Sequence, residues 1–388
     1  LSKIFYKLFF PPGARLATVA WLLAVNPARA QMPGAGLPAK FLGAPSCASS
    51  SCHGGGGDRQ NQYIVWSVRD FHSQRPVTTL ATARARQIAE ALQITDPTLN
   101  ADCTTCHAPL QTVPAALRGP AFTVTEGVSC ESCHGPAENW LRSHTRTDWT
   151  QADRVFAGLR DLQNLYVRAN TCVACHQNVS QRLLHAGHPE LIFEMDGQCA
   201  AEPRHWQETA AWNRAQSWLV GQAVALREMS WQLATEPSPD ARLIARWRAL
   251  VWLLQKLDGL APALPGLQNV SASNNSENFL AAKSAADALA RSASGLTWND
   301  DLSRETLIRL AATAEDFANA TDAGELPARR AERLVLALDR LILAQKSAAP
   351  AADQNLNQLF KLAQSAPDFD AAAFAGTLKQ FADSLKGT

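Results

Sequence analysis

Three short stretches decide the reading: Cys103-Thr-Thr-Cys106-His107, Cys130-Glu-Ser-Cys133-His134 and Cys172-Val-Ala-Cys175-His176. A fourth, Cys47-Ala-Ser-Ser-Ser-Cys52-His53, repeats the pattern with four residues between its cysteines instead of two. Cys-x-x-Cys-His is the spacing of c-type haem attachment. The two thiols add across the vinyl groups of the porphyrin. The histidine that follows lies under the ring and offers a nitrogen to the iron. Zinc also takes Cys-x-x-Cys pairs, but it needs two pairs per ion and no histidine directly after each second cysteine. A histidine follows all four pairs here.

The stretches therefore predict four covalent haems c. Their attachment points are Cys47 and Cys52, Cys103 and Cys106, Cys130 and Cys133, and Cys172 and Cys175. Their proximal iron ligands are His53, His107, His134 and His176. The stretched motif also admits a plainer reading, a disulfide or free thiol pair in a Ser/Gly-rich turn. Gly54 to Gly57 favour haem, because small residues let backbone pass close to a flat ring.

A c-type haem iron can take a second axial ligand on its other face. Methionine is scarce, with only Met32, Met195 and Met229. Five histidines lie outside the motifs: His72, His144, His185, His188 and His205. None follows His205, so all five are distal-ligand candidates. His185 and His188 are three apart, but Pro189 disfavours helix at His188, so a helix there is expected to stop at Gly187. Five candidates for four irons allow bis-histidine ligation throughout, and equally allow one open iron. Of the nine cysteines, Cys199 alone lies outside the motifs and reads as a buried free thiol.

Lys3, Lys7 and Arg15, the apolar run Leu16 to Val25 and Ala28-Arg29-Ala30 read as an export signal over residues 1–30. The apolar run is ten residues, short of the roughly 20 that span a bilayer. Later apolar runs are all interrupted by polar residues. The expectation is a periplasmic protein without a transmembrane anchor after signal removal. A formal charge of +1 gives no support for nucleic-acid binding.

The chain divides by composition into a haem-bearing part, 31–205, and an Ala/Leu-rich part, 206–388, without metal ligands. In the first, Ile64, Val65, Val68 and Phe71 suggest one apolar helix face, and Phe122 to Val124 suggest a short strand. In the second, Ser238 with Pro239 is placed to cap a helix ending at Gly259, and Ser276 one ending at Gly295. Later helices are expected at 301–320, 327–346, 353–363 and 368–385. Trp218, Trp231, Trp247 and Trp252 read as core. The fold class is all-α, a haem-packed tetrahaem domain followed by a helical bundle.

The chain resembles the multihaem cytochromes related to cytochrome c-554. The likeness rests on Trp66 to His72, on the run Gly127 to Ala137 with His144 after it, on Ala186-Gly187-His188-Pro189, and on Phe193-Glu194 and His205-Trp206. It covers roughly residues 42–206. It implies a mainly helical structure, closely stacked haem pairs, and distal ligands at His72, His144 and His188. The first motif departs from the family in its spacing, and the C-terminal part lacks the further haem motifs of some relatives.

The relatives include electron carriers and enzymes acting on nitrogen compounds. The leading expectation is an electron carrier exchanging with other redox proteins, with a membrane quinol-oxidising or catalytic subunit among the candidate partners. The alternative is an oxidoreductase acting on a small nitrogen or sulfur compound at one five-coordinate haem. That needs a nearby acid or cation, for which Arg69, Arg142 and His185 are the candidates. A third class is a docking subunit that binds its partner through the helical part.

Overall fold

The computed structural model describes residues 38–271, 273–319, 325–345, 350–364 and 368–386. The expected signal segment, Met32 and the expected helix ends at Ala320 and Lys346 fall outside them.

The first half is a string of short helices: α1 (Gln62–Arg69), α2 (Phe71–Thr79), α3 (Ala83–Ala91), α4 (Ala101–His107), α5 (Cys130–His134), α6 (Gln151–Phe156), α7 (Leu165–His176), α8 (Gln181–His185) and α9 (Met195–Ala201). Local side chains start them. Thr82, Asn100, Asn164 and Ser180 each accept a backbone N–H in the first turn of the helix that follows, satisfying donors that a helix start leaves unpaired. Long irregular connections separate them. Among the described residues the only β-type pairing is an isolated bridge between Phe41 and Arg118, and Phe122 to Val124 form no strand.

The second half is made of long helices: α10 (Arg214–Thr235), α11 (Ala241–Gln255), α12 (Ser276–Gly295), α13 (Asp300–Ala311), α14 (Glu315–Ala318), α15 (Leu326–Ile342), α16 (Pro350–Ala363) and α17 (Ala371–Ser384). α10 is the central helix, buried along most of its length. α12 lies along it with Ala282, Ala286, Ala290 and Ala293 fully covered. Side chains this small let the two helices approach closely. Trp218, Trp247 and Trp252 are core as expected, whereas Trp231 is about half exposed.

The core does not stop at the composition boundary. Leu165, Ala169 and Val173 of α7 belong to the same buried cluster as α10. Tyr166 Oη donates to Asp287 Oδ1 at 2.6 Å, and Arg227 donates to Asp287, to Tyr166 Oη and to Asn170 Oδ1. The helix that carries the Cys172–His176 motif, fourth in chain order, is thereby fastened to α10 and α12.

Several expected boundaries move, each for a visible reason. Asp240, not Ser238, caps α11, because its carboxylate accepts from Arg242 N at 2.6 Å. Asn275 caps α12 one residue before Ser276. The helix expected over 301–320 breaks after Ala311. There Thr313 turns both its amide and its hydroxyl onto Leu310 O, a local bond that competes with the helical ladder. The apolar face expected on α1 is split. Val65 and Trp66 are buried, while Ile64, Val68 and Phe71 are exposed. Trp66 anchors the buried side through a bond from Nε1 to Val128 O at 3.1 Å.

Candidate haem-binding site

Three of the four motifs occupy the ends of helices. α4 ends on His107, α5 on His134 and α7 on His176. The first motif begins in a 3-10 turn, Ala44–Cys47, and runs into a tight loop. Gly54 is required in that loop because a Cβ there would collide with the Ala48 carbonyl. The crowding comes from the motif's own backbone, whereas Gly56 and Gly57 border open space. At Gly127 the backbone has φ +72° and a Cβ would strike Ser73 O, so glycine lets the third motif's approach segment lie against α2.

All four motif histidines, and every motif cysteine except Cys52, line one cavity of about 1540 Å³. A pocket for one small ligand usually measures about 300–1,000 Å³. His72, His144, His188 and His205 line it too. His185 does not. It lies outside, 69% exposed, with Nε2 3.3 Å from Asp240. The Gly187 turn, at φ +101°, separates it from His188.

The imidazoles meet in pairs. His53 and His144 stack with ring centres 6.1 Å apart at 22°. His72 and His176 have ring centres 5.9 Å apart at 77°. Two imidazoles bound to opposite faces of one metal, each nitrogen about 2 Å from it, place their ring centres about 6 Å apart. His107 is pushed below the usual imidazole value, by burial first and also by the neighbouring His188. His134 is pushed down to about 4 by burial first and then by His205. Deprotonated imidazole is the form that binds metal.

Four of the Nδ1 atoms are occupied by an acceptor. His53 Nδ1 pairs with Gln62 Oε1 at 2.9 Å, His107 with Pro76 O at 3.0 Å, His144 with Leu141 O at 2.7 Å and His188 with Pro189 O at 2.9 Å. Each bond to an acceptor fixes the tautomer and leaves Nε2 free for a metal. His205 Nδ1 is buried near the Pro203 carbonyl but outside hydrogen-bond geometry. His72 differs from the rest, with Nδ1 3.1 Å from Asp70 Oδ1 and 3.0 Å from Glu202 Oε1. Those side-chain bonds, Asp70 first, raise it to about 10.

The motifs also touch one another. Cys47 lies beside Cys130, and Cys106 beside Cys175. Cys175 is pushed up first by Cys106 and, among smaller causes, by nearby Cys133. The spatial order is thus first, third, fourth, second. Cys199 is half-buried and lies beside Cys172.

Cys52 is exposed and outside the cavity, so the stretched motif presents one thiol inward and one outward. Arg69 and Arg142, like His185, are not at the cavity wall. Other arginines do line it, Arg84, Arg154 and Arg160 among them, and the sequence reading missed them. Arg84 donates to Gly187 O at 2.8 Å, Arg154 to His144 O at 2.9 Å and Arg160 to Ser132 O at 2.6 Å. Each holds a peptide carbonyl beside a histidine or motif and keeps further N–H groups for an anionic ligand. Glu131 was also missed. It is 1% exposed and accepts from the amides of Leu42, Gly43 and Ala137. Only its place inside a motif marked it. Asp70, two residues before His72 at a helix start, had the legible signature of a cap.

The donor set, the cavity and the paired imidazoles fit haem. Residues 46–135 match the family described as Cytochrome c554 and c-prime. Over these residues the chain is similar to c-type cytochromes. That match spans the first three motifs, and such cytochromes hold haem c covalently. Comparison with curated proteins and with solved structures gives no match. The fold is all-α, and among the described residues no helix is long and apolar enough to cross a membrane.

Proposed function

We propose that this chain is an exported tetrahaem electron carrier in which every iron has two histidine ligands. The observation that carries this reading is the match of four to four. Four imidazoles from outside the motifs share one cavity with the four motif imidazoles, and the surplus candidate, His185, is outside. The pairs are His53 with His144, His107 with His188, His134 with His205 and His176 with His72.

Haem supplies one-electron chemistry, and the chain supplies spacing, ligands and burial. Two imidazoles per iron favour low potentials and close the iron to substrate. The thiol contacts support transfer in the order first, third, fourth, second, with partner redox proteins at the two ends. The lining arginines are placed to meet propionates. An enzymatic reading needs an open iron beside an acid or cation; Arg84, Arg154 and Arg160 stand at the cavity even though Arg69, Arg142 and His185 do not, so that reading turns on an open iron alone.

Substitution of the outer ligands tests this. Pyridine haemochrome analysis should give four haems per chain. His72→Ala, His144→Ala, His188→Ala and His205→Ala should each turn one low-spin haem high-spin, while His185→Ala should leave the spectrum unchanged. A spectrum untouched by any of the first four removes that residue as a ligand and overturns its pair.

A further inference from the structure

We propose that Asp70 and Glu202 are positioning residues that make the haem between His176 and His72 the lowest-potential centre of the four. The proposal deepens the ligation reading above and rests on it.

His72 is the one imidazole at the cavity whose Nδ1 faces carboxylates among the described residues. Both lie at hydrogen-bond distance, 3.1 Å for Asp70 and 3.0 Å for Glu202. The Asp70 side chain is 4% exposed and that of Glu202 21%, so solvent screens them weakly. The other Nδ1 acceptors are neutral, an amide oxygen at His53 and peptide carbonyls at His107, His144 and His188.

A carboxylate accepting Nδ1–H draws the proton away from the ring and raises the basicity of the opposite nitrogen. A more basic ligand, with negative charge behind it, stabilises ferric iron over ferrous. Hydrogen bonding behind the ligand and net charge are both established levers on haem potential. The arrangement looks built rather than accidental. Asp70 also accepts the His72 backbone N–H at 2.8 Å, so one carboxylate starts α2 and fixes the ring that α2 presents. Glu202 reaches the same nitrogen from the end of α9. In the spatial order of the motifs this haem is third, an interior position. Electrons crossing the chain would meet their highest step there rather than at either end.

The test is a spectroelectrochemical titration of the holoprotein, wild type against Asp70→Asn and Glu202→Gln, with low-spin signals followed by EPR. Asparagine still caps a helix, and Glu202 closes α9 through its backbone N–H rather than its side chain, so both variants keep the fold's local bonds. The lowest of the four couples should become easier to reduce by about tenfold, about 59 mV for one electron, with the other three unmoved and all four irons low-spin. Unmoved couples with intact low-spin signals would overturn the tuning and leave the ligation reading standing. A uniform shift of all four couples would also overturn it. Failure of the ligation reading shows separately, as a His72→Ala protein whose haems all stay low-spin.

Discussion

At the scale of single residues, the candidate set was legible. Each candidate attachment cysteine and proximal histidine is named by a five- or seven-residue word, and the distal candidates by histidines confined to one half. The pairing was not legible, because it depends on which loops return across the cavity. Nor could spacing separate His185 from His188, since a left-handed glycine between them decides which side faces in. Glu131 stayed hidden because a motif's middle positions are normally free. It ties the segment at Leu42 and Gly43 to the third motif through two amides and accepts a third from Ala137, just after the motif. Glu131→Ala would strand those buried donors, at about 1–3 kcal/mol for each left unpaired. Thermal denaturation of the holoprotein should show a marked fall in Tm, and Glu131→Gln, which keeps one acceptor oxygen, a smaller one.

At the scale of elements, apolar periodicity located the helices of the second half but not all of their ends. Boundaries moved where a neighbouring side chain offered a stronger local bond, as Asp240 does for α11 and Thr313 does between α13 and α14. Periodicity also failed on α1. A stripe such as Ile64 and Val68 tells which residues share a face, not whether that face is buried, and the anchoring residue is Trp66. The α10–α12 contact depends on small side chains. Ala290 is fully covered, so Ala290→Leu should cost about 1–3 kcal/mol by overpacking. Leu280→Ala, on a side chain about half exposed, should stay within about 0.5 kcal/mol. Denaturant unfolding of the two variants makes the comparison.

At the scale of the whole molecule, the haem part and the helical part share α7 and a continuous core, which a division drawn from composition does not convey. Glu194 sits in that shared region as the cap of α9 and accepts from Asp196 N and Gly197 N. Burial raises it from 4.5 to about 7. A carboxyl raised on folding contributes stability that is complete below its unfolded value and lost as pH rises through its folded value. Stability should therefore decline between pH 4.5 and about 7, and Glu194→Gln should flatten that decline in a Tm series across the same range.

The central claim is that four motif histidines and four outer histidines close four irons. EPR of the oxidised holoprotein, with and without cyanide or nitric oxide, tests it most directly. The expected result is four low-spin signals that neither ligand alters. A high-spin signal that shifts on adding either ligand would contradict the account, identify an open haem and turn the chain into a candidate enzyme.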